Sequence, residues 1–237
     1  MRMVTFDLRS WISSWGCSFL LTLVFISAPS VSCPSVLISE VMYDPTGTDT
    51  GEEWIELWNP GNVEINLTGY ELGVRISSSS SKYFIFPSFT LLPGRCVVIH
   101  WNATGSDTSE TLYTGDLGSY KYNIRNKSGW VALFTGSQHN KNTIIDYIEY
   151  GASGQTWESA ASDAGIWTSG DYIPGVAAEG NSLELIYGRS GDRSDDWFEQ
   201  DDPNPGDPPV PEPTTLLLIG VGIAGMMFKR RRSRQSR

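Results

Sequence analysis

Cysteine, histidine and long apolar runs are all scarce in this sequence. Three cysteines stand among 237 residues. One of them, Cys17, falls in an apolar N-terminal stretch, which leaves only Cys33 and Cys96 for a bridge. No cysteine spacing suits a zinc site. An oxidising compartment would permit a Cys33–Cys96 disulfide, and two separate thiols are the other outcome. Histidine occurs twice, as His100 and His139. No G-x-S-x-G or comparable nucleophile motif accompanies either one, so nothing marks a catalytic centre. Basic residues are sparse in the middle. Residues 33–210 hold nine Lys and Arg against 25 Asp and Glu, a net charge of −16. That balance excludes nucleic acid and anionic lipid as partners of this stretch.

The ends of the chain are basic and apolar. Arg2 and Arg9 precede "WISSWGCSFLLTLVFISAPSVSC". This has the charged, apolar and small-residue regions of an export signal. We expect a signal peptide over 1–32, cut after Ser32, with Ala28 as the competing position. At the other end, Thr214 to Phe228 form an apolar run of 15 residues. As a helix it would reach roughly 22 Å, short of the about 30 Å of a bilayer core. Lys229, Arg230, Arg231 and Arg232 follow directly. Bases at that position keep a tail on the cytoplasmic side. The expected order is therefore a short transmembrane helix over 214–228 and a basic cytoplasmic tail over 229–237, with the bulk of the chain across the membrane.

Between these ends, short β-type runs alternate with Gly, Pro, Asn, Asp and Ser. Nine are expected as strands: "SVLISEVMY", "EWIELWN", "VEINL", "YELGVRI", "KYFIFP", "CVVIHW", "GWVALFTG", "TIIDYIEYG" and "NSLELIYG". Period two places Trp54, Glu56 and Trp58 on one face of the second run, with Ile55 and Leu57 on the other. In "TIIDYIEY" it sets Ile145 and Tyr147 against Ile144, Asp146 and Ile148. The pattern predicts one all-β sandwich domain over 33–206. Two Ser-, Thr- and Gly-rich stretches, 102–128 and 151–181, read as loop insertions. Residues 207–213 read as a Pro-rich acidic linker.

Candidate binding groups lie in the loops. Asp44, Asp49, Glu52 and Glu53 offer oxygen ligands for Ca²⁺, although the spacing is not that of an EF-hand. Solvated carboxylates are the simpler account of them. Glu40 and Glu56 are expected to orient the loop between the first two strands. Trp101, Trp157, Trp167 and Trp197 sit near turns and are the candidates for an exposed sugar-stacking platform. Asn66, Asn102 and Asn126 begin glycosylation sequons, which matter only in a eukaryotic secretory route.

Two resemblances rest on these residues. Val210, Pro211, Glu212 and Pro213, the short apolar run and the Lys229–Arg232 cluster together resemble the PEP-CTERM sorting signal of Gram-negative-type bacteria. This implies an exosortase-type membrane peptidase as partner, a transient membrane-bound intermediate, and delivery to the cell surface or extracellular matrix. The middle is similar to the lamin-tail domain, an immunoglobulin-like β-sandwich. The carrying segments are "ISEVMYDPTG", "EEWIELWNPG", "INLTGYEL", "TLLPGRCVVI", "GWVALF", "IIDYIEYG", "NSLELI" and "DDWFEQDDPNPG". The resemblance implies a non-enzymatic structural or adhesive module with no cofactor, its partner an extracellular polysaccharide or surface protein. A Ca²⁺-dependent lectin is the alternative expectation, and a hydrolase built on His100 or His139 a third.

Overall fold

A computed structural model of the chain describes residues 36–175 and 178–210. The expected signal peptide, Cys33, the tripeptide Pro211–Pro213, the apolar run and the basic cluster Lys229 to Arg232 lie outside the described residues. Among those described, no helix is long and apolar enough to cross a membrane.

Twelve strands and one short α-helix follow in order. They are β1 (Leu37–Met42), β2 (Trp54–Trp58), β3 (Ile65–Asn66), β4 (Glu71–Arg75), β5 (Ser81–Ile85), β6 (Thr90–Leu91), β7 (Cys96–His100), β8 (Thr111–Tyr113), β9 (Gly129–Phe134), β10 (Ile144–Tyr150), α1 (Glu158–Ala164), β11 (Ser182–Leu185) and β12 (Trp197–Gln200). One sheet runs β12-β11-β1-β2-β7-β8 and the other β10-β9-β4-β5; β3 and β6 form a small ribbon. All neighbours are antiparallel except β7 and β8. This is the β-sandwich that the strand pattern predicts, of the immunoglobulin-like kind that the resemblance implies.

The alternation explains how the core forms. Ile55 and Leu57 of β2 point inward and are fully buried, together with Ile38 and Val41 of β1 and Val97 and Ile99 of β7. They meet Leu72, Val74, Val131, Leu133 and Ile148 from the other sheet. Each such side chain contributes roughly 1.5–3 kcal/mol of transfer free energy. Trp54, on the opposite face of β2, packs with Met42 and Val98 in a separate outer cluster. The strand β10 departs from simple alternation. It bulges between Ile144 and Asp146, so Ile144 pairs with Phe134 and leaves the face of Asp146. A bulge adds one residue and reverses the side chains beyond it.

That bulge aims Asp146 into the sandwich. Its Oδ2 accepts from the Ile38 amide of β1 at 2.6 Å, and its Oδ1 from the Tyr147 amide at 2.9 Å. The strand β1 has its own irregularity between Ile38 and Glu40. One buried carboxyl therefore ties the two sheets together where both strands are irregular. Burial pushes Asp146 up to about 8, against the downward pull of its two N–H donors.

The stretch 151–181 is not a free loop. It carries α1, which packs on β10 over the outer face of the four-stranded sheet. There Trp157 lies edge-on to Trp130 and Phe134, at centroid distances of 6.4 and 5.4 Å. Tyr83 fits beneath because Gly73, opposite it on β4, has no side chain; a Cβ there would stand 2.6 Å from the Tyr83 ring.

Candidate functional site

The loop carboxylates proposed as calcium ligands occupy neighbouring positions but are already engaged. The Asn126 side-chain amide donates to Asp44 and, at 3.2 Å, to Asp49. Glu53 is fully buried and accepts from the Ile124 amide at 2.9 Å. Burial pushes Glu53 up to about 9, and Asp49 and Asp44 raise it further. A hard cation needs ionised oxygens, whereas this group stays protonated at neutral pH. Glu52 lines a separate surface hollow with Pro45, Thr48 and Trp54. Among the described residues no group of three or more His, Cys, Asp or Glu side chains is placed to hold a metal ion.

The aromatic platform is also displaced. Trp101, Trp167 and Trp197 are buried and Trp157 is half-buried. Each indole N–H has a partner: Trp101 the Tyr122 carbonyl, Trp167 the Asp171 carbonyl, Trp197 the Gly191 carbonyl and Trp157 the Tyr83 hydroxyl. Turn residues of this kind fold their own loops down onto the sandwich, since an indole combines a large apolar body with one donor. Among the described residues the exposed aromatics are instead Tyr120, Tyr172, Tyr187 and Phe198.

Neither histidine builds a nucleophile system. His100 stacks on Tyr113 at 4.9 Å. His139 Nε2 lies 2.9 Å from Glu71 Oε2, with its ring stacked on Tyr83. Among the described residues no serine hydroxyl is hydrogen-bonded to either ring. Asn102 and Asn126 use their side-chain amides inside the fold, while Asn66 of the third sequon is exposed. Cys96 is a buried thiol on β7. Burial and the neighbouring Glu56 push it well above the usual thiol range.

The most unusual feature is a row of carboxyls on the outer face of the six-stranded sheet. Register places Glu184 of β11 opposite Glu40 of β1, and Glu40 opposite Glu56 of β2. Like charges directly opposite one another destabilise a sheet. The protein offsets this with hydroxyl donors. Ser182 donates to Glu40, Ser39 to Glu56 at 2.6 Å, and the Gln200 amide to Glu184 at 2.7 Å. Burial, with the Glu56 and Glu184 carboxyls acting beside it, also holds Glu40 up at about 7, which favours its uncharged form. Glu56 and Glu184 are raised too, chiefly by burial. The sequence pattern assigns Glu40 and Glu56 to orienting the loop between the first two strands. Their hydrogen bonds run to Ser182, Ser39 and the C-terminal segment instead, because they point outward from mid-strand.

That C-terminal segment, residues 201–210, lies on this face as a strap. The Gly206 amide donates to Glu56 Oε2 at 2.6 Å, and the Asn204 backbone lies beside the Glu40 carboxyl. Gly206 has φ +98, a conformation that favours glycine. Pro209 is buried. Pro209 and Val210 border a groove of about 520 Å³ with Tyr187, Phe198, Gln200 and Asn204. Residues 207–210, expected as the start of an extended linker, thus begin against the sheet. Sequence reasoning missed the strap and missed Glu184, Ser39 and Ser182 as partners. The alternation in "SLEL" fixes which way Glu184 points, but only the order β11-β1-β2 brings it beside Glu40.

Fold and chain order define a class: an immunoglobulin-like sandwich module carried in front of a C-terminal sorting motif. The lamin tail domain family model matches residues 29–152, and the chain belongs to that family. A second model, the PEP-CTERM protein-sorting motif, matches residues 209–232. No curated protein matches the chain. The lamin-tail match stops before β11 and β12, the two strands that complete the larger sheet beyond β1.

Proposed function

We propose that the protein is exported as a membrane-held precursor and sorted by an exosortase-type peptidase. The sandwich then acts outside as a non-enzymatic structural or adhesive module. The supporting observation is the order of parts: a lamin tail domain match over 29–152, the strands β11 and β12, and then a match to the PEP-CTERM sorting motif from residue 209. In this reading Val210, Pro211, Glu212 and Pro213 are the recognition and cleavage segment. The run 214–228 stops transfer in the inner membrane, and Lys229, Arg230, Arg231 and Arg232 stay cytoplasmic. The destination is the cell surface or extracellular matrix of a Gram-negative-type bacterium. With a net charge of −16 over residues 33–210, the module suits neutral or cationic partners, an extracellular polysaccharide or a surface protein.

Intact mass of the surface-released protein tests this. A C-terminus near Pro213 supports sorting, and a released chain that retains Arg230 to Arg232 contradicts it. Replacing Pro211, Glu212 and Pro213 together by alanine should abolish release.

A further inference from the structure

Pro209, two positions ahead of the sorting tripeptide, is buried, and the residues before it are fastened to the domain. The Gly206 amide is held by Glu56, and the Asn204 backbone lies beside the Glu40 carboxyl. The turn between them is closed by the Asp207 amide on the Asn204 carbonyl. With the strap seated, no spacer separates a folded body from Pro211. A domain of about 175 residues has a radius of gyration of about 16 Å. A peptidase embedded in a membrane must take the tripeptide in an accessible, extended form, and a body of that size directly ahead of it obstructs the approach. Once unseated, the ten residues 201–210 span up to about 33 Å, enough to carry the tripeptide clear of the domain.

We propose that this strap positions the sorting cleavage: seated on Glu40 and Glu56 it withholds the tripeptide, and cleavage proceeds from the unseated chain. The seat exists only when β1 and β2 have paired, because Glu40 and Glu56 come from those two strands, and Ser182 of β11 holds Glu40 in turn. Unfolded and folded chains therefore meet the peptidase with different spacers. The inference rests on the sorting reading above.

The test uses the full-length chain in cells that carry an exosortase, with pulse-chase release as readout. Hydrogen exchange on the purified protein reports strap seating. Gly206→Pro removes the N–H that Glu56 holds, and φ +98 is closed to proline. Strap amides should exchange faster and release should accelerate at least threefold. An eight-residue Gly-Ser spacer between Pro209 and Val210 leaves the recognition segment Val210 to Pro213 intact and keeps Asn204, Gly206 and Pro209 in place. It should accelerate release to the same extent, and Gly206→Pro should add nothing to it. Unchanged release in the spacer variant overturns the proposal. So does unchanged release in Gly206→Pro when exchange shows the strap free. Alanine at Pro211, Glu212 and Pro213 should stop release in every background. If release continues there, the sorting reading fails whatever the strap does.

Discussion

Replacing Asp146 by alanine should destabilise the domain severely for a single change. The substitution strips two buried amides of their acceptor: Ile38 in the larger sheet and Tyr147 in the smaller. A buried donor left without a partner costs about 1–3 kcal/mol. Two of them come to about 3–5 kcal/mol. For a domain of this size that lowers the thermal midpoint by about 10 °C. Asp146→Asn keeps one acceptor but turns an amide N–H toward the other donor, so about half the loss should remain. The pH dependence supplies a second constraint. Asp146 is raised from its ordinary 3.8 to about 8. Its contribution is full at low pH and declines as pH rises through about 8, because the folded state holds the proton more tightly than the unfolded one. The deficit of Asp146→Ala should therefore be larger at pH 5 than at pH 9. Thermal unfolding followed by circular dichroism at both pH values measures it, and exchange of the Ile38 amide localises it. A deficit under 1 kcal/mol, or one that grows with pH, refutes the assignment of Asp146 as the tie between sheets.

Other consequences follow from the same buried groups. Glu40 and Glu149 are each raised from 4.5 to about 7, mainly by burial; stability should fall between pH 5 and pH 8, by up to about 3 kcal/mol per group, and a midpoint that rises over that interval would contradict this. Gly73→Val should cost about 1–3 kcal/mol by forcing Tyr83 and Trp130 off their packed positions, readable as a shifted denaturation midpoint. Trp101→Phe should lose about 1 kcal/mol through the vacated Tyr122 carbonyl, with increased exchange confined to residues around Tyr122. Addition of Ca²⁺ should leave the melting temperature unchanged, since Glu53 is protonated and Asn126 already occupies Asp44 and Asp49; a shift of several degrees would reopen the calcium reading.

The sandwich was legible wherever a strand alternates cleanly. In "EWIELWN" the period alone separates Ile55 and Leu57 from Trp54, and the structure agrees. The two-residue β6 and the three-residue β8 carry too few side chains to show any period, while the expected strand "VEINL" forms only over the two residues of β3. The helix α1 was hidden in a Ser- and Gly-rich stretch because seven residues make barely two turns, and its stability comes from packing on β10. The strand β12 was obscured by the aspartates and prolines around it. The tryptophans misled for a different reason: a turn-rich neighbourhood indicates where a residue begins, not which way a long side chain reaches. The bulge at β10 adds one residue without any Gly or Pro to announce it. What no single segment carries is the order of strands, and the carboxyl row exists only through that order.

The placement of β1 has a further consequence, in time. The first strand of the sandwich lies in the interior of the larger sheet, flanked by β2 and by β11. The bond from Ser182 to Glu40 joins residues 142 positions apart. Closing so long a loop is entropically expensive, and folds built on distant pairings assemble slowly. A chain threaded N-terminus first through a membrane would deliver β1 early and leave one of its edges bare until nearly the whole domain had followed. During that interval the open edge is available to any other strand nearby. Rapid delivery, or a chaperone that covers β1 on the far side, would matter more to the yield of this protein than the stability it finally reaches.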